Sequence, residues 1–149
     1  MSTEDIVKIR TADGDEFTVE KKSIEISNAI KSIINRINDR KESHIISVDP
    51  ITTDVMAKII KWCDYHFIHQ EDLNDYHNDI IINNRHKISE WNREFLGTNL
   101  EEVCRIINAA AYLEIYPLES IAIKHFVNFI LSDHIPRKEV LKIIERYFL

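Results

Sequence analysis

The sequence predicts an α+β domain in which helix predominates, on three observations. Two short segments near the start alternate apolar and polar residues on either side of an Asp-Gly pair. From Ser23 onward the apolar residues recur at the spacing of helical faces. The 149 residues include only two glycines and three prolines, so few points of the backbone are obliged to turn. The alternating segments are Ile6–Arg10 and Glu16–Glu20, and Thr11-Ala12-Asp13-Gly14-Asp15 between them supplies the reversal of a β-hairpin. Ile26, Ile30, Ile33, Ile34 and Ile37 then fall at i, i+4, i+7, i+8 and i+11, one face of a helix despite their β-branching. The polar run Asn38–Ser43 ends that helix. His44–Val48 reads as a third strand, stopped by Asp49-Pro50 because proline cannot continue a ladder.

Thr52 or Thr53 is placed to cap the next helix, whose stripe is Ile51, Val55, Met56, Ile59, Ile60, Cys63 and Phe67. His69–Lys87, rich in Asn, Asp and His, reads as a long surface loop, interrupted by the apolar run Ile80-Ile81-Ile82. Trp91, Phe95 and Leu96 are aromatic and aliphatic anchors at helical spacing. Leu100, Val103, Ile106, Ile107 and Ala110 continue the period, so this stretch is expected to be a helical hairpin. Pro117–Leu131 is apolar nearly all round: Leu118, Ile121, Ala122, Phe126 and Phe129 lie on one side, Ile123, Val127, Ile130 and Leu131 on another. One small domain rarely buries both sides alone. Ser132–Pro136 breaks the chain, with Pro136 at or near the first position of a last helix, Arg137–Leu149.

The length suits one domain that buries a core without metals or disulfides. A net charge of −6 with no cationic cluster argues against nucleic acid as a partner, and no apolar run approaches the ~18 residues that span a bilayer. The first residues have no signal-peptide pattern, and Cys63 and Cys104 sit in helical patterns without a Cys-x-x-Cys partner. The expectation is two reduced, buried thiols in an intracellular protein of the cytoplasm or nucleus.

Cys63, His66 and His69, spaced by three, are the one arrangement that invites a metal. A structural zinc needs four closed ligands, and a catalytic one favours His at i and i+4 with a third ligand elsewhere. The reading is therefore a buried Cys63 beside exposed histidines, and no metal. His44, His77, His86, His125 and His134 are scattered and expected to face solvent. A glycine-rich phosphate loop and a G-x-S-x-G motif are both missing, so neither catalytic residues nor a cofactor is assigned.

Three ordered motifs carry a family resemblance. IIKWCDYH, ending the helix after the third strand, is similar to an aliphatic-aliphatic-polar-W-C-x-x-H ending. WNREFL and AAAYLEI are similar to W-D-Q-E-F-L and A-A-N-Y-L-D-I in the Skp family of SCF ubiquitin-ligase adaptors. The resemblance implies a BTB/POZ-like domain, three short strands enclosed by helices, over residues 1–131, with a surface loop near 68–87. Residues 132–149 would then be a shortened C-terminal helix of the same globular unit. It implies a non-enzymatic adaptor that bridges an F-box protein to a cullin N-terminal domain. Ala111, where the family has Asn, and Tyr112, on the family tyrosine, are the expected cullin-facing residues. The apolar surplus at Phe126, Phe129, Ile130, Val140, Ile143, Ile144 and Tyr147 is the expected F-box-facing surface. Two further readings stay open: a degenerate, parasite or viral mimic that binds and sequesters one partner only, motivated by Ala111 and the shortened C-terminal helix, and a self-associating BTB scaffold, a homodimer, unrelated to ubiquitin.

Overall fold

The computed structural model describes residues 5–40, 45–73, 76, 80–132 and 135–149. The chain divides into two compact units, Met1–His69 with Ala109–Ile115, and Gln70–Asn108 with Tyr116–Leu149. The expected α+β arrangement is observed, three short strands flanked by helices with a helical C-terminal extension.

In the first unit, β1 (Ile6–Thr11), β2 (Glu16–Glu20) and β3 (Ile45–Val48) form a sheet in the order β2-β1-β3. The predicted hairpin pairs Ile9 with Phe17, and β3 lies parallel to β1 with Ile46 beside Ile9. Gly14 makes the reversal at φ +87°, where a side chain would be strained. Strand periodicity puts Ile9, Thr11, Val19, Ile46 and Val48 on one buried face. His44, the first residue of the expected third strand, lies outside the described residues.

A parallel return needs a crossover, here α1 (Lys21–Ile24) and α2 (Asn28–Arg40). The sequence suggested a single helix from Ser23; the chain instead restarts at Ser27. The Ser27 hydroxyl accepts the Ile30 N–H at 3.1 Å, capping α2, and donates its own hydrogen to the Leu113 carbonyl. Beside it the Asn28 N–H meets the Glu114 carbonyl at 3.2 Å. Ile30 and Ile34 then point inward, each at most 2% exposed.

α3 (Thr53–Ile68) buries Val55, Met56, Ile59, Trp62, Cys63 and His66. Its stripe is rotated from the predicted one: Phe67 is 43% exposed, while Trp62 is fully buried. The capping also differs. Thr52 occupies the cap position but makes no side-chain cap; the Asp13 carboxylate, from the β1–β2 turn, accepts the Thr53 N–H at 2.7 Å, and Asp15 accepts the Thr53 hydroxyl at 2.8 Å. The acidic turn of the hairpin is thus the cap of the helix, where a negative group also suits the helix dipole.

The second unit opens, where a loop was expected, with a 3₁₀ turn at Gln70–Leu73 and a small hairpin of β4 (Ile81–Ile82) and β5 (Arg85–His86). α4 (Glu90–Leu96) starts at Ser89, whose side chain accepts the Asn92 N–H, and stops at Gly97, φ +69°. α5 (Leu100–Leu113) has its predicted stripe, Leu100, Val103, Ile106, Ile107 and Ala110, buried throughout; its last turn belongs to the first unit. α6 (Tyr116–Leu131) and α7 (Arg137–Phe148) complete the fold, with Pro136 one position before the first turn of α7.

Glu114 closes α5 at φ +55°, with Ile115 N–H bonded to Ala110 O and Glu114 N–H to Ala111 O. This paired ending favours glycine. Glu114→Gly is therefore expected to stabilise the protein by about 1 kcal/mol, and Ser27→Ala to destabilise it by about 2 kcal/mol because a cap and the partner of a buried carbonyl are lost together. Urea midpoints of the two variants against the parent would check both.

Candidate partner-binding surfaces

The end of α5 presents the first candidate surface. Helical periodicity turns Ala110 and Leu113 into the core, 0% and 1% exposed, and leaves Ala111 and Tyr112 outside, Tyr112 at 48%. The paired carbonyl bonds of the helix ending and the Ser27 and Asn28 contacts hold this turn to the start of α2. Tyr112 therefore offers an aromatic ring on a fixed backbone, which lowers the entropy lost on docking.

The second candidate surface lies on α6 and α7. α6 keeps the two sides read from its sequence: Leu118, Ile121, Ala122 and Phe126 are buried, while Ile123 and Leu131 are 43% and 50% exposed. Among the residues expected to grip a helical partner, Phe126 and Val140 are packed within the protein, at 6% and 7% exposure, and Phe129, Ile130, Ile143, Ile144 and Tyr147 are half-buried. Phe126 meets Phe148 edge to face at 6.0 Å between centroids. The Tyr147 carbonyl accepts the Asn108 amide at 2.8 Å, the Arg105 guanidinium stands 5.9 Å from the Tyr147 ring, and Arg146 pairs with Glu101. These contacts fasten α7 along α5. Other exposed apolar residues of the pair are Ile123 and Leu131, on the second side read from the sequence, and Leu141 and Phe148. Leu141 lies one position after Val140 and so about 100° further round α7, a signal that was available.

Two histidine expectations are corrected. His66, read as exposed, is 1% exposed and packs on Trp62 at 4.1 Å between ring centroids. His125, read as solvent-facing, is 5% exposed; its Nε2–H donates to the Gly97 carbonyl at 2.7 Å and its ring meets Phe129 edge-on. Both sit four residues after a core residue, Trp62 and Ile121, so helical spacing places them inward whatever their polarity. His86 is half-buried; His44, His77 and His134 lie outside the described residues. His69 stacks on Tyr65 at 4.4 Å, and among the described residues no group of three or more His, Cys, Asp or Glu is placed to hold a metal ion.

Both cysteines are buried and free. Burial, helped by Asp64, pushes the Cys63 thiol far above the usual thiol range. Cys104 is pushed up to about 11 by burial and Glu101, partly offset by Arg105, so both stay protonated and unreactive. Among the described residues, no helix is long and apolar enough to cross a membrane.

Residues 5–67, the stretch from β1 through most of α3, match the family described as "Skp1 family, tetramerisation domain". The likeness is to the Skp1 family. Over 125 residues the chain is 29% identical to "Suppressor of kinetochore protein 1" of Schizosaccharomyces pombe, covering 83% of this chain and 76% of that one. It is 29% identical over 126 residues to "E3 ubiquitin ligase complex SCF subunit sconC" of Arthroderma benhamiae, covering 83% and 74%. To "Skp1-related protein" of Caenorhabditis elegans it is 28% identical over 128 residues, covering 83% and 72%. These matches extend well past α3, so the Skp1 likeness takes in helices beyond the matched domain.

The surroundings of His125 predict a contribution to stability that acid removes. Burial lowers its pKa below the ordinary 6.5 and Arg93 lowers it further, against the raising effect of its hydrogen bond to Gly97. The unfolded chain then takes up this proton first as pH falls. The stabilising contribution is whole above about pH 6.5 and is lost as pH drops through that value toward the folded pKa. His125→Gln, which can still donate to the Gly97 carbonyl, is expected to show a shallower fall in urea midpoint than the parent between about pH 7.5 and about pH 5; parallel falls would assign the acid sensitivity to other groups.

Proposed function

We propose that this protein is a non-enzymatic Skp-like adaptor that bridges an F-box-type substrate receptor to a cullin in an SCF-type ubiquitin ligase. The observation that carries the reading is the combined match: the Skp1 domain over residues 5–67, and relatives named as Skp1-related and as SCF subunits over 83% of the chain. The fold supports it with exposed or half-buried apolar side chains on helices of each unit, Tyr112 at the end of α5 and the half-buried stripe of α6 and α7.

The cullin side is assigned to Ala111 and Tyr112. An exposed aromatic at a helix end is a suitable anchor, because a large ring buries much area at little entropic cost. The F-box side is assigned to Phe129, Ile130, Ile143, Ile144 and Tyr147, with Phe126 and Val140 shaping the floor from below. A helical partner laid along α6 and α7 would cover the half-buried stripe together with Ile123 and Leu141. The adaptor contributes affinity and geometry, and the chemistry belongs to its partners. On this reading it works in the cytoplasm or nucleus, where such ligases act.

Co-expression with an F-box segment and a cullin N-terminal domain, followed by size-exclusion chromatography, tests the proposal. A ternary peak is expected. A binary peak with one partner would instead establish the sequestering mimic, and a dimer of this chain with neither partner bound would establish the self-associating scaffold. Tyr112→Lys is expected to weaken the cullin contact at least tenfold by placing a charge in a desolvated patch, with F-box binding unchanged; equal loss of both would overturn the assignment of the two surfaces.

A further inference from the structure

The adaptor reading leaves the run Ile80-Ile81-Ile82 unused, and these three side chains are 50%, 59% and 55% exposed. Asn83 and Asn84 follow at φ +52° and +63°, the pair of left-handed residues that a two-residue hairpin turn demands and that asparagine tolerates. The register sets Ile82 opposite Arg85, and the Lys87 N–H closes on the Ile80 carbonyl at 3.0 Å. Strand alternation then puts Ile80, Ile82, Arg85 and Lys87 on one face.

So small a hairpin is marginal by itself. It is held by Asn128 of α6, whose amide accepts the His86 N–H at 2.7 Å and donates to the His86 carbonyl at 2.9 Å. Asn128 thereby satisfies the outer edge of β5 as a neighbouring strand would. The clamp fixes a cavity of about 590 Å³ whose apolar wall includes Ile82, Ile88 and Phe129. Among the described residues its charged lining is Arg85, Lys87 and Arg93 against the one carboxylate of Glu94, in a chain whose net charge is −6. The three cations are exposed at the rim.

We propose that this hairpin cavity is a docking site for an extended acidic peptide segment carrying one large apolar side chain. The apolar side chain enters against Ile82, Ile88 and Phe129, and flanking carboxylates face Arg85, Lys87 and Arg93. Charge complementarity selects the acidic partner, since three cations concentrated on an otherwise acidic chain attract carboxylates and repel basic sequences. Ile80, on the same face as Ile82 and outside the cavity lining, favours an extended segment over a small molecule, which would leave it uncovered. The site is argued from residues that the adaptor reading does not use, Phe129 excepted, and stands or falls without it.

The test uses the full chain and an array of nonapeptides with a central Phe, Leu or Ala flanked by Asp and Glu, by Ser, or by Lys, with affinities of the strongest sequences measured by fluorescence anisotropy. Binding is expected for acidic peptides with central Phe or Leu, weakening as salt rises. Arg85→Glu with Lys87→Glu is expected to reduce affinity at least tenfold, and Ile82→Ser, which leaves the charges unchanged, at least fivefold. All these positions are exposed, and an unchanged thermal midpoint would show that the variants fold. No preference for acidic over lysine-flanked peptides would overturn the proposal, and so would full affinity in either variant.

Discussion

A single hydroxyl, that of Ser27, sets the geometry on which the first unit depends. It accepts from the Ile30 N–H and donates to the Leu113 carbonyl, so the first turn of α2 and the last turn of α5 are defined by the same buried atom. The two ends of chain it joins are far apart in sequence. Helix ends are where backbone groups lack partners, and a buried end without them is costly. Pairing one helix's orphan donors with another's orphan carbonyls resolves both costs at once and brings Ala109–Ile115 into a unit otherwise built from the first part of the chain. The exposed Tyr112 owes its fixed position to this junction.

Borrowed satisfaction of backbone groups recurs through the structure. The start of α3 is capped by Asp13 of the hairpin turn, the edge of β5 by Asn128, and the Tyr147 carbonyl in α7 by Asn108. In each case a short polar side chain from another element supplies what local sequence does not. Such contacts are directional, so they fix position where apolar packing only fixes proximity. They join elements distant along the chain, and for that reason leave no mark in local sequence patterns.

The proposed binding surfaces were legible in unequal measure. Tyr112 and Ala111 were recognisable because a motif places them and helical spacing turns them outward. The α6–α7 surface was legible as a surplus of apolar side chains, though periodicity could not divide them between interior and exterior. Phe126 and Val140 went to the protein's own packing, while Ile123 and Leu141 remained outside. The hairpin at Ile81–His86 had a local signal in Asn83-Asn84, obscured because the surrounding residues are polar and the strands are only two residues long. His66 and His125 were misplaced by polarity, although their spacing from Trp62 and Ile121 placed them inside.

What the sequence by itself determined is the order and type of the elements: the Asp-Gly hairpin, the third strand, the helical stripes from Val55 to Cys63 and from Leu100 to Ala110, and the break before α7. Those follow from periods of two and 3.6 and from turn chemistry, which are properties of neighbouring residues. Tertiary structure alone decided that the helix expected from Ser23 would restart at Ser27, that Asp13 and not Thr52 would cap α3, and that Asn128 would hold a hairpin beside a cationic cavity. Each of these depends on a partner atom supplied by a distant segment, and a hydrogen bond between distant segments has no existence until the chain has folded.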